Sequence, residues 1–227
     1  MTSRMKTHSP EIDNSFEIKL CDASRGCRLS LYDVNSLADR IQEAILENGW
    51  PEFFHSRYKE SILFHTKLKI AISGCPNACS EPQIRDIGLI AQQQPSLVPE
   101  NCNECKKCLK ACREAAVILQ PGVGPVFNQQ CIACGQCIKT CPHDALKAGK
   151  KGIQISVGGK LGRHPQLAFP VRNFATEEEV LNIIREVINL LKSRATSHGI
   201  PRLGNIITRE IIDKWREQLE IEVNLSS

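Results

Sequence analysis

Twelve cysteines in 227 residues are the side chains here most able to do chemistry. They fall at Cys21, Cys27, Cys75, Cys79, Cys102, Cys105, Cys108, Cys112, Cys131, Cys134, Cys137 and Cys141, which divides into three sets of four with none left over. The N-terminal stretch MTSRMKTHSPEIDNSF is polar and has no apolar core of the kind a secretory signal carries, so a cytoplasmic chain with reduced thiols is expected. Dense reduced cysteine points to metal rather than to disulfides.

Eight of the twelve have unambiguous ligand spacing. The segments 102-CNECKKCLKAC-112 and 131-CIACGQCIKTCP-142 are two copies of C-x2-C-x2-C-x3-C, the run of bacterial two-cluster ferredoxins. In that pattern three thiolates of one loop cap a [4Fe–4S] cluster, and the fourth cysteine of the run reaches the neighbouring cluster. Cys102, Cys105, Cys108 and Cys141 are therefore expected to hold one cluster, and Cys131, Cys134, Cys137 and Cys112 the other. Zinc sites use isolated C-x2-C pairs set far apart, which this is not. One departure is that Cys112 is followed by Arg113, whereas Cys141 is followed by Pro142.

The remaining four, in 21-CDASRGC-27 and 75-CPNAC-79, have the spacing C-x5-C, 47 residues, C-x3-C. Neither pair suits a zinc knuckle, and neither repeats the ferredoxin run. A disulfide between Cys75 and Cys79 would face cytosolic reductants. A third cluster, or thiols without a ligand role, are the readings left by the residues alone.

Composition limits what can position these thiols. Hydrophobic residues make up 41% and charged residues 24%, an ordinary globular balance, and the length allows one large domain or two small ones. No apolar run approaches the roughly 18–20 residues of a membrane span. A net charge of +4 does not argue for nucleic acid, and three oxidised clusters at about −2 each would reverse its sign.

Residues 1–15 are expected to be a flexible N-terminus. FEIKL (16–20), KLKIAI (67–72), DIGLIA (86–91) and GIQISVGG (152–159) read as strands. Residues 34–48 repeat apolar side chains at helical spacing, with Ser36 and Asp39 as the start and Gly49-Trp50-Pro51 as the stop. TEEEVLNIIREVINLLKS (176–193) opens with a capping box, Thr176 and Glu179, and carries one apolar face. A last helix is expected over 207–219. The flanks, 16–97 and 148–227, lack enough apolar elements to close separate cores, so they are expected to form one discontinuous α+β domain. A small domain with two [4Fe–4S] clusters, over 98–147, would then be inserted between its halves.

The chain resembles the siroheme-dependent sulfite and nitrite reductases. The resemblance is carried by Gly74-Cys75-Pro76-Asn77-Ala78-Cys79, by the longer run 66-TKLKIAISGCPNACSEPQIRDIGLIA-91, and by the glycine-rich 155-ISVGGKLGRHP-165. The inserted ferredoxin run is similar to the anaerobic sulfite reductases. The resemblance implies a sulfite-reductase-like α+β half with helices on a mixed sheet. It implies a third [4Fe–4S] cluster on Cys21, Cys27, Cys75 and Cys79, with Cys79 also the axial ligand of a siroheme iron. It implies oxidoreductase activity, a six-electron reduction of sulfite to sulfide or nitrite to ammonia.

Siroheme and its substrate are anions, so cations are sought near the motifs. Lys67 and Lys69, two apart on an expected strand, share a face, and Arg25 and Arg28 flank Cys27; these four are the candidate substrate ligands. Asn77, Gly158, Gly159, Lys160 and Arg163 are candidates to hold the tetrapyrrole, the glycines by close backbone approach. His65 and His164 are candidate proton donors. The family's smaller lobe has no counterpart in this stretch, and Asp22-Ala23 stand where the family shows Pro-Gly. An electron-donor protein is expected as partner, with a second copy or another reductase subunit closing the site. The alternative is a three-cluster electron-transfer protein without siroheme.

Overall fold

Alternation along the strands decides the main layer. In FEIKL the apolar Phe16, Ile18 and Leu20 point one way and Glu17 and Lys19 the other, and the same parity sends Leu68, Ile70 and Ile72 inward. The computed structural model describes residues 13–58 and 66–225, with side chains described to residue 220. His65 and residues 1–12 lie outside it.

The strands are β1 (Phe16–Leu20), β2 (Leu68–Ser73), β3 (Ile87–Leu97), β4 (Val117–Gln120), β5 (Gly124–Phe127), β6 (Leu146–Val157) and β7 (Phe169–Ala175). The helices are α1 (Val34–Glu47), α2 (Trp50–Arg57), α3 (Lys107–Ala111), α4 (Gln136–Thr140), α5 (Glu177–Arg194), α6 (Leu203–Ile206) and α7 (Arg209–Leu225). Five strands form a mixed sheet in the order β1-β2-β3-β6-β7, and β4 and β5 form a separate hairpin. β1, β2 and β3 are parallel; β6 and β7 are antiparallel to their neighbours. This is the α+β architecture with helices on a mixed sheet that the sequence indicates.

One face of the sheet carries the core. Ile18, Ile70, Ile87, Leu89 and Ile155 are fully buried there against Leu37, Ile41 and Ile45 of α1, Trp50 and Phe54 of α2, and Ile184, Val187 and Ile188 of α5. Each such side chain contributes about 1.5–3 kcal/mol of burial. Parallel pairing of β1 with β2 needs a crossover, and α1 and α2 supply it. The β2–β3 crossover, residues 74–86, runs over the opposite face instead. Gly88 has no room for a Cβ because the Pro82 carbonyl lies against it.

Several expectations need correction. Helix α1 is capped by Asp33, whose carboxylate accepts from the N–H groups of Asn35 and Ser36, so Ser36 lies inside the helix. Gly49-Trp50-Pro51 ends α1 as expected but also opens a second helix: Gly49, at φ 66°, turns the chain into α2, where Pro51 is tolerated in the first turn. β3 continues past residue 91 to Leu97, with a register shift between Gln93 and Pro95. β6 begins at Leu146, well before residue 152. The last helix extends to Leu225. Residues 13–15 are tied down, since Ser15 is fully buried and its carbonyl accepts from the Trp50 indole at 3.2 Å. β7 and α6 had no distinct signal.

Candidate functional site

Between Leu97 and Leu146 the chain builds two short helices and the β4–β5 hairpin around two small cavities. One is lined by Cys102, Cys105, Cys108 and Cys141. The other is lined by Cys112, Cys131, Cys134 and Cys137. These are the two exchanged sets expected from the spacing. Positive φ at Lys106 (61°) and Gly135 (67°) turns each cysteine loop into its helix. Cys137 is pushed up to about 12 by burial and then by Cys134, Cys131 and Cys112, so these thiols crowd one another. Among the described residues no three His, Cys, Asp or Glu converge on a point for a single ion. In both cases the four thiols line one cavity.

The third set is assembled where β1 and β2 end. The Cys21 N–H donates to the Ile72 carbonyl at 3.2 Å, and the Gly74 N–H donates to Cys21 Sγ at 3.2 Å. Gly74 has no space for a Cβ because Ala23 and Ser30 lie against it, which lays the Cys21–Cys27 loop on the Cys75 turn. Ala78 at φ 53° and Glu81 at φ 61° reverse the chain around Cys79. Ser80 is buried, its hydroxyl 2.6 Å from that of Ser73. Burial pushes the Cys75 thiol up, as does its proximity to Cys21, Cys79 and Cys27. Cys79 is raised likewise by burial and then by Cys21, Cys27 and Asp22. The four sulfurs thus share one neighbourhood. Cys21 is buried, whereas Cys79 is exposed.

Strand β3 spaces the three sets. Ile90 pairs with Ser73, two residues before Cys75. Gln93 bridges to Cys134, its N–H donating to the Ala133 carbonyl at 2.8 Å. Leu97 pairs with Leu146, which lines the cavity of Cys102 and Cys141. Steps of three and four residues along a strand are about 10 and 13 Å. The thiol sets therefore lie in a row.

The other candidates divide between two ends of the sheet. Arg25 pairs with Asp22 beside Cys79, and exposed Arg28 lines a cavity with Cys75 and exposed Asn77. Lys67, Lys69, Gly158, Gly159, Lys160 and Arg163 stand at the opposite end, because β2 runs toward Cys75 while β6, antiparallel to β3, ends level with Lys69. Roughly 17 Å of strand separates Lys69 from Gly74. Lys67 precedes the strand and donates to Asn14 Oδ1 at 3.1 Å. Lys69 is 7% exposed, and burial pushes its ammonium down, opposed by Asp86 and Glu17. A Cβ on Gly159 would lie 2.6 Å from the Gln83 and Arg85 carbonyls, and one on Gly158 2.6 Å from Ile207. These two glycines are thus accounted for by packing of the chain on itself. Lys160 donates to Asn205, and Arg163 and His164 are exposed on the hairpin that the Lys160–Gln166 bridge closes.

A model of the nitrite and sulphite reductase 4Fe-4S domain matches residues 11–226. The chain belongs to that family. Membership makes it an iron–sulfur protein of the oxidoreductase class. The coenzyme F420-dependent sulfite reductase of Methanocaldococcus jannaschii is 30% identical over 88% of this chain and 30% of its own length. A subunit of the anaerobic sulfite reductase of Salmonella typhimurium is 27% identical over 92% of this chain and 59% of its own. The chain thus spans about a third to three-fifths of these two family relatives. Dissimilatory sulfite reductase I superposes with a TM-score of 0.57 over 88% of this chain and 52% of its own at 18% identity, a likeness of fold.

Sequence reading missed a charged seam on the sheet face opposite the core. Lys19 and Arg85 both pair with Glu81, at 2.8 and 3.1 Å. Asp86 is buried, accepts from the Lys69 N–H at 3.0 Å, and faces Arg202 at 3.9 Å. Burial pushes its carboxyl up to about 6 against the lowering pull of Arg202 and Lys69. Alternation in FEIKL placed Lys19 on this face; nothing local showed that residues 80–86 would cross it. Among the described residues no helix is long and apolar enough to cross a membrane.

Proposed function

We propose that this chain is the cluster-bearing half of a siroheme-dependent reductase, converting sulfite to sulfide or nitrite to ammonia. Electrons would pass along β3 through two ferredoxin-type clusters to a third on Cys21, Cys27, Cys75 and Cys79. The observation that carries the reading is the exposure of Cys79 at the inner end of the thiol row. Within its set of four Cys79 alone faces outward, as a thiolate that also meets a second cofactor must; Cys105, at the outer end of the row, is exposed as well.

The residues present fit siroheme in donor type. Cys79 is the candidate to hold its iron. Arg25 stands beside it, and Lys19, Arg85, Lys69 and Lys160 continue as cations toward the far end of the sheet, suited to the carboxylates of a large anionic ring. When bound, siroheme would supply the iron on which the anion is reduced. Arg25 and Arg28, near the thiols, are the candidates to orient that anion. Lys67 and Lys69, at the far end of the sheet from the thiols, are better placed for ring carboxylates than for substrate. Segment 98–147 is proposed as the relay domain. The electron donor is proposed to be another protein, and a second copy or a further reductase subunit is proposed to help close the site.

A second reading, a three-cluster electron carrier without siroheme, is favoured by Gly158 and Gly159, whose tight space is filled by the chain itself. Pigment extraction from anaerobically purified protein, made in a host able to synthesise siroheme, separates the two. About one siroheme per chain supports the reductase; intact clusters without tetrapyrrole support the carrier and sink the first reading.

A further inference from the structure

An open cavity of about 420 Å³ lies where the cysteine-rich segment meets the Cys75 turn. Arg28, Cys75 and Asn77 line it from one side, and Lys110, Arg113 and Cys134 from the other. The two sides are pinned together: the Lys139 ammonium donates to the Arg28 carbonyl at 3.0 Å, and the Gln93 N–H to the Ala133 carbonyl at 2.8 Å. Among the described residues neither Arg28 nor Arg113 has an ion-pair partner, and one carboxylate, Glu114, lines the cavity with them. Arg113 is also the residue that breaks the cysteine run, standing where the second copy has Pro142.

We propose that Arg28 and Arg113 form a cationic bridge that offsets the charge of the two cluster sites flanking this cavity and raises the reduction potential of both. The proposal rests on the reading that Cys21, Cys27, Cys75 and Cys79 hold one cluster and Cys112, Cys131, Cys134 and Cys137 another. A four-thiolate [4Fe–4S] cluster carries about −2 when oxidised. Reduction by a one-electron donor adds one negative charge, with no bond made or broken. Two such sites about 10 Å apart along β3 repel each other, and the repulsion grows as either is reduced. A guanidinium between them attracts the reduced form more strongly than the oxidised one, so it favours electron arrival. Both arginines are exposed, so salt weakens the effect.

The test is an EPR-monitored redox titration of the anaerobically purified, cluster-loaded chain. Arg28→Gln, Arg113→Gln and the double variant are compared with the parent at low and high salt. Cys105→Ser, which removes a ligand from the outermost site, identifies the signal that should not move. The expected result is a shift to lower potential at the two flanking sites, larger in the double variant and smaller at high salt. Arg28→Lys and Arg113→Lys should restore the parent potential. Unchanged potentials, or a lysine variant that shifts as far as the glutamine one, would overturn the bridge. Iron analysis of the parent is run alongside: iron missing from either flanking site overturns the cluster reading itself, and the bridge falls with it.

Discussion

Cys79 shares a neighbourhood with Cys21, Cys27 and Cys75 yet is the exposed member of that set. Cys79→Ser is expected to remove about a third of the iron, while the ferredoxin-type signals persist. Iron content equal to the parent's would refute the ligand assignment. Gly159 makes a different kind of claim, because an added Cβ would meet backbone carbonyls that cannot swing aside. Gly159→Ala should cost roughly 1–3 kcal/mol of stability by urea denaturation. Loss of pigment without loss of stability would return Gly159 to a ligand role. Asp86 couples the sheet edge to pH. Its folded pKa, about 6, lies above the usual 3.8, so the folded state holds its proton more tightly than the unfolded chain does. This residue's contribution to stability is therefore largest below about pH 4 and is lost as pH rises toward and through 6. In Asp86→Asn that slope between pH 4 and 6 should flatten; an unaltered profile in denaturant titrations would assign the slope to another group.

At the scale of elements, local signals were legible where a short-range interaction specifies the structure. Thr176 and Glu179 form the expected capping box, with the Glu179 N–H donating to Thr176 Oγ1 at 3.2 Å and the Thr176 N–H to Glu179 Oε2 at 2.7 Å. Thr176→Ala should destabilise the fold by about 1 kcal/mol, read as a lowered urea midpoint. The signal was incomplete where a residue type serves two purposes. Gly49 before Trp50-Pro51 ends one helix and also begins the next, and the burial of Trp50 and Phe54 decides in favour of continuing. β3 runs through Pro95, where the register shift beside it accommodates the missing N–H. That extension carries β3 as far as the outermost thiol set.

For the molecule as a whole, the two parts rest on different forces. The sheet and its helices bury a large apolar cluster, whereas residues 99–145 bury little beyond Ala116, Val117, Ala133, Cys137 and Ala145. Iron removal by chelation should therefore open residues 99–145 to hydrogen exchange and proteolysis while the five-stranded sheet stays protected. Equal protection throughout would show that the small core suffices without iron.

The sequence by itself determined how eight cysteines divide between two cavities, the parity of the strands and the capped helix. Spacing, alternation and capping are local properties that a chain carries with it. Only the tertiary structure decided that Lys69 and Gly159 stand at the far end of the sheet from Cys75, and that Arg113 lines one cavity with Arg28. Strand direction, the path of residues 74–86 and the docking of the cysteine-rich segment on β3 come from burial between segments distant in sequence. No local pattern encodes which of those segments will meet.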